Sequence, residues 1–114
     1  MLSLTIVEPS TKRSFMPQLL RDEVDTIYIY SSNFKNTTVT EARIEVALRL
    51  RCHVTEVPID TNPDAWRSFC VVHRVSENIT PQFLVQLKNG KYFHICSYSR
   101  LKELLPPLRF QCHF

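Results

Sequence analysis

A single glycine, Gly90, serves all 114 residues of this chain, and it directly follows Asn89. Asn-Gly between two apolar runs is the strongest short-range signal for a β-hairpin, because a tight two-residue turn needs positive φ. The flanking runs fit: Pro81-Gln-Phe-Leu-Val-Gln86 on one side and Tyr92 to Ile95 on the other. The same scarcity excludes glycine-rich phosphate loops, which need two glycines ahead of Lys-Ser/Thr. It also excludes a double-glycine turn against which a cofactor or small peptide could lie close to the backbone.

The rest of the chain alternates strand and helix patterns. Leu2, Leu4 and Ile6 alternate with Ser3, Thr5 and Val7, the period of a short strand. Pro17, Leu19, Leu20 and Val24 suggest a short helix over Met16–Glu23. Thr26 to Tyr30 is β-branched and aromatic, the composition of a central strand. Thr38-Val-Thr-Glu41 has the form of a capping box, opening a helix to about Arg51. Its expected apolar face is Ala42, Val46, Ala47 and Leu50, widened by Ile44 and Leu48, with Glu45 and Arg49 paired at four-residue spacing. His53 to Ile59 reads as the next strand, and Asp60-Thr-Asn-Pro63 as the start of a helix with Trp66, Phe69 and Cys70 on one face. After the hairpin, Ser97 or Ser99 caps a last helix through Leu105, which Pro106-Pro107 stops.

The predicted order is βα-βαβα-ββα, an α/β fold with a central mixed sheet flanked by helices. The length suits one domain over residues 1–114, with an N-terminal βα extension (1–25) and a C-terminal tail (106–114). The net charge of +3 is spread along the chain, not clustered as a nucleic-acid footprint would require. No apolar run approaches the ~20 residues of a membrane span. The N-terminus lacks a signal-peptide pattern, so a cytoplasmic protein is expected. Cys52, Cys70, Cys96 and Cys112 are far apart in sequence, which excludes CxxC chemistry and suits free thiols in a reducing compartment. Cys52-His53 and Cys112-His113, with His73 and His94, form a formal Cys/His set, but adjacent Cys-His lacks zinc-ligand spacing and no metal is expected.

From Thr26 to Leu105 the chain resembles the thioredoxin/glutaredoxin superfamily. Ile27-Tyr-Ile-Tyr-Ser-Ser32 is similar to a glutaredoxin first strand and its Ser-containing turn. Ile79-Thr-Pro81 before an apolar strand is similar to the family's cis-proline turn, and Val85 to Leu104 to its C-terminal half. A weaker resemblance is to the small Src-homology-3-binding, glutamic-acid-rich family, whose glutaredoxin-like domains lack the dithiol. It rests on Tyr28-Ile29 with Ser31-Ser32, Glu56-Val-Pro-Ile-Asp60, Asn62 with Trp66-Arg67, and Pro81-Gln82. The resemblance implies a thioredoxin-like fold and a cis Thr80–Pro81 bond.

The departures from that family direct the expected function. Lys35-Asn-Thr-Thr38 stands where the CPYC-type motif would lie, and disulfide exchange needs an attacking thiolate. His94-Ile95 stands where a Gly-Gly would receive glutathione's carboxylate. The expectation is a redox-inactive binding or adaptor module without cofactor, holding a protein partner on Asn33, Phe34, Lys35, Asn36, Thr80 and Pro81. Phe34 is either an interface anchor or a loop residue folded onto the core. One alternative is a glutathione- or thiol-dependent enzyme using Cys96, which lies near the start of the last helix; Cys52 lies near a helix C-terminus, where the dipole opposes a thiolate. Another is a proline-motif ligand for a Src-homology-3-type domain, through Leu105-Pro-Pro-Leu-Arg-Phe110. A monomer is expected over a homodimer joined through the uncharged edge strand Leu2–Val7.

Overall fold

The computed structural model describes residues 18–107. The expected strand Leu2–Val7, the greater part of the tail, and Cys112-His113 lie outside the described residues. Within them the element order is β1 (Val24–Ser31), α1 (Thr37–Arg49), β2 (His53–Pro58), α2 (Pro63–His73), β3 (Gln82–Leu87), β4 (Tyr92–Ile95) and α3 (Tyr98–Leu104). The four strands form one mixed sheet in the order β2-β1-β3-β4. β1 and β2 are parallel, β3 is antiparallel to β1, and β4 is antiparallel to β3.

Side-chain alternation divides the sheet into two faces. Ile27, Ile29, Phe83, Val85 and Ile95 project to one side, where Val39, Ala42 and Val46 of α1, Leu50 at its C-cap, and Leu101 and Leu104 of α3 complete the main core. Val24 and Ile27 are three residues apart yet share this core, because the register with β3 shifts between Val24 and Thr26. That bulge restores the inward phase of β1. On the opposite face Trp66, Phe69 and Cys70 of α2 pack with Tyr30, Ile59 and Leu84.

Three local expectations need correction. Residues 18–23 form no helix; they run irregularly and then turn, with the Glu23 and Val24 amides donating to Leu20 O. Leu19 is instead pinned across the end of α3, its amide 2.7 Å from Leu104 O, with its side chain in the main core. The segment gains its partners from α3, so it does not need helical hydrogen bonds of its own. The capping box does not form either. Asn36 caps α1, its Oδ1 accepting from the Thr38 and Val39 amides at 2.8 and 3.4 Å, which places Thr38 inside the first turn. Finally, Ala47 is exposed, and Ile44 and Leu48 remain about half exposed. At 100° per residue these two lie on the far side of the helix from Val39 and Val46, so they cannot widen the buried stripe. Glu45 and Arg49 do meet, at 2.6 Å.

The helix ends show how the chain copes without glycine. α2 opens on Pro63 at its first position and closes on Arg74, which is left-handed (φ 57). The Val75 amide then donates to Cys70 O at 2.9 Å. α1 is followed by a second left-handed arginine, Arg51 (φ 55), whose amide donates to Val46 O. Both positions are ones that glycine ordinarily fills. Gly90 takes φ 90 in the hairpin turn, where the Lys91 amide reaches Asn89 Oδ1 at 2.9 Å. Ser97, of the two expected serines, caps α3 by accepting from the Arg100 amide. No helix among the described residues is long and apolar enough to cross a membrane.

Candidate functional site

Four chain segments meet at one end of the sheet. β1 and β2 both finish there, and the Ile59 amide joins them by donating to Ser31 O at 3.2 Å. β3 starts beside them, since Tyr30 pairs with Gln82, and β4 ends there, since Ile95 pairs with Phe83. The loop after β1 therefore adjoins the Thr80–Pro81 turn and the Cys96 segment. Ligand sites of open α/β sheets form at this position, outside the carboxyl ends of parallel strands.

The loop from Ser32 to Asn36 is shaped by its own polar side chains. Buried Ser31 Oγ accepts from the Asn33 amide at 3.1 Å, and Asn33 Oδ1 accepts from the Lys35 amide at 3.0 Å. Asn33, Lys35 and Asn36 are exposed around Phe34, which is half buried and packs against the main core. Phe34 thus anchors the loop inward while part of its ring remains at the surface. Across the strand pair, Thr80 is exposed, Pro81 is half buried, and the bond between them is cis, as expected from the sequence.

Beneath this surface lies a polar joint built on Gln82. Its side chain is fully buried. Nε2 donates to Ile79 O and to Cys96 O, both at 3.1 Å, tying the proline turn to the segment before α3. Oε1 faces His94 Nε2 at 2.5 Å. Because the amide nitrogen is committed to two carbonyls, Oε1 is the acceptor and His94 carries its proton on Nε2. Burial, with His73 adding to it, pushes the His94 pKa down to about 4. Burial also lowers that of His73, whose ring centroid is 4.8 Å from that of His94. Gln82 and His94 were missed as a pair in the sequence. The only available signal was a polar residue at an inward-facing position of an apolar strand, and its partners lie up to 14 residues away.

The cysteines separate by environment. Burial pushes the Cys52 thiol up to about 11 and raises that of Cys70, so both are held as neutral thiols. Cys96 is exposed at the sheet end, two residues before α3. His94 and Ile95, which stand where the resemblance would place a Gly-Gly pair, lie within β4. One ring is turned toward α2, and the other side chain sits in the main core. No group of three His, Cys, Asp or Glu side chains able to hold a metal ion occurs among the described residues. Of the proline segment, Leu105 is buried in the main core, Pro106 is half buried and Pro107 is exposed; Leu108, Arg109 and Phe110 lie outside the described residues. A broad groove of about 740 Å³ lies apart from the sheet end, between α1 and the outer edge of β2, where Arg43 and Glu56 pair at 3.3 Å.

Comparison with protein-family models, with curated proteins and with solved structures finds no match to this chain.

Proposed function

We propose that this chain is a redox-inactive, thioredoxin-like binding module that holds a protein partner on Asn33, Phe34, Lys35, Asn36, Thr80 and Pro81. The observation that carries the reading is the chemistry of the turn into α1. Lys35 lies in that turn and Thr38 in the first turn of the helix, where a thioredoxin-like enzyme would place its two thiols. Neither an ammonium nor an unactivated hydroxyl can attack a disulfide near neutral pH. The strand order β2-β1-β3-β4, a parallel βαβ unit followed by an antiparallel ββα unit, supports the thioredoxin-like part of the reading. The exposed polar rim around a half-buried aromatic supports the binding part, since such surfaces combine an apolar anchor with satisfiable hydrogen-bonding groups.

Two measurements test it. The chain should reduce insulin or a glutathione mixed disulfide at background rate. With a co-purified partner in hand, Lys35→Glu combined with Asn33→Ala should weaken binding by about 1–2 kcal/mol or more, with little change in melting temperature. The second reading, a thiol-dependent enzyme, is favoured by the exposure of Cys96 at the same sheet end. Turnover that disappears in Cys96→Ser would establish it and overturn the adaptor reading.

A further inference from the structure

The α2 face holds two imidazoles where the rest of the packing is aromatic. His73 closes α2, and His94 projects from β4 beneath it, with ring centroids 4.8 Å apart. Phe69 lies against both, 4.5 Å from His73 and edge-on to His94 at 5.4 Å. The same Phe69 stacks on Trp66 and Tyr30, at 5.5 and 4.3 Å. One contiguous aromatic–imidazole cluster therefore fastens α2 to the sheet, and it is separate from the main core.

We propose that the His73–His94 pair is an acid-operated latch: protonation releases α2 from the sheet while β1, β3, α1 and α3 stay folded. This goes beyond the binding reading above and does not depend on it. Among the described residues, the groups around the pair include no buried carboxylate to compensate positive charge, and Phe69 offers only the weak attraction of a ring for a cation. On α2 the Cys70 thiol lies one turn before His73, on β1 the Tyr30 phenol packs against Phe69, and on β4 the exposed Tyr92 shares a strand face with His94. The connection after α2 brings exposed Arg74, which is cationic, and Glu77, which is also exposed and gives its carbonyl to Trp66 Nε1 at 3.3 Å. Among the described residues, neither ring is paired with a carboxylate, and the four ion pairs lie elsewhere on the surface. Two cations 4.8 Å apart against a phenyl ring would repel and lose hydration, while release of α2 returns both to water. His94 Nε2 donates to Gln82 Oε1 in either protonation state, and the stronger bond from the charged ring offsets only part of the burial cost.

The sign follows from linkage. Both histidines bind protons more weakly in the docked state than in the released state, so docking is stable above the ordinary histidine value of 6.5 and weakens as pH falls toward about 4. With His94 alone, the opening constant rises about tenfold per pH unit across that window, and more steeply if both rings take protons. Among the described residues the main-core cluster contains no histidine, so the effect is expected at α2.

Trp66 is the chain's sole tryptophan and sits in the latch cluster, so its fluorescence reports α2 docking. On acidification from 6.5 to about 4 its emission should shift to the red, while amide hydrogen exchange of β1, β3 and α1 stays protected. The double variant His73→Gln, His94→Gln should lose the emission transition. Should that variant not fold, His73→Gln alone should make the transition shallower, toward the tenfold-per-pH-unit dependence of His94 alone. Emission that is constant across the window would overturn the proposal. So would a single transition in which Trp66 and the β1 amides are lost together, or a transition unchanged in both variants.

Discussion

The two faces of the sheet are built from the same four strands, yet they differ in kind. Among the described residues, the face under α1 and α3 gathers a buried cluster of fourteen, all apolar, from five elements, their flanks and the segment preceding β1. The face under α2 buries only Trp66, Phe69 and Cys70 of that helix, and surrounds them with partly exposed Tyr30, His73 and His94 and the buried amide of Gln82. The buried cluster of the first face is apolar, with Cys52 and Tyr98 only at its margin, and it resists opening through sheer area. The second mixes aromatic packing with polar groups whose hydrogen bonds must all be kept. Structural integrity and responsiveness are thereby assigned to opposite sides of one sheet.

Substituting one phenylalanine on each face tests that assignment most directly. Phe83→Ala, in the main core, should cost about 3–5 kcal/mol of global stability in denaturant unfolding. Phe69→Ala removes the same group from the thinner face and should cost less, about 3 kcal/mol at the low end of that range. Its hydrogen-exchange losses should be concentrated in α2. If Phe69→Ala deprotects β1 and α1 as fully as Phe83→Ala does, the two faces unfold as one unit and the comparison fails.

A smaller effect is expected from Gln82→Leu, which keeps the volume but deletes the joint. It leaves Ile79 O and Cys96 O without their donor and His94 without its acceptor, a cost of about 1–3 kcal/mol. A loss well below that range in chemical denaturation would mean that water or a shifted backbone replaces the amide. Asn36→Ala should cost about 1 kcal/mol by uncapping α1. Circular dichroism melting would detect it as a small downward shift with no change specific to the α2 face. It is the smallest of these effects, and it checks that the main-core face tolerates a lost polar contact at its margin.

The sequence made the strands and helices legible because each carries its own periodicity or punctuation. Asn89-Gly90 marked the hairpin, Pro63 the start of α2, and the spacing of Trp66, Phe69 and Cys70 its buried face. Competing local signals were decided by contacts that no short window contains. Asn36 and Thr38 both have capping side chains, and the helix begins at the first because the loop from Ser31 delivers it there. Leu19 and Leu20 have a helical neighbourhood, but the end of α3 supplies Leu19 with a partner 85 residues away. At the candidate site, the loop residues and the cis Thr80–Pro81 bond were legible as individual positions. The Gln82–His94 contact was not, and neither was the choice between the two expected states of Phe34, since both depend on which strands become neighbours.

The two left-handed arginines leave room for adjustment in the helix endings. An L-residue held left-handed carries steric strain of roughly 1–2 kcal/mol, which glycine avoids. Glycine in turn gives up about 0.5–1 kcal/mol through its freer unfolded chain. At Arg51 and Arg74 the balance therefore favours glycine, but only by a margin comparable to a weak surface ion pair. The chain keeps, at the close of both long helices, a cation aligned with the negative end of the helix dipole, which recovers part of that margin. Glycine scarcity here is thus nearly neutral for stability, and it places two guanidinium groups at fixed points on the surface.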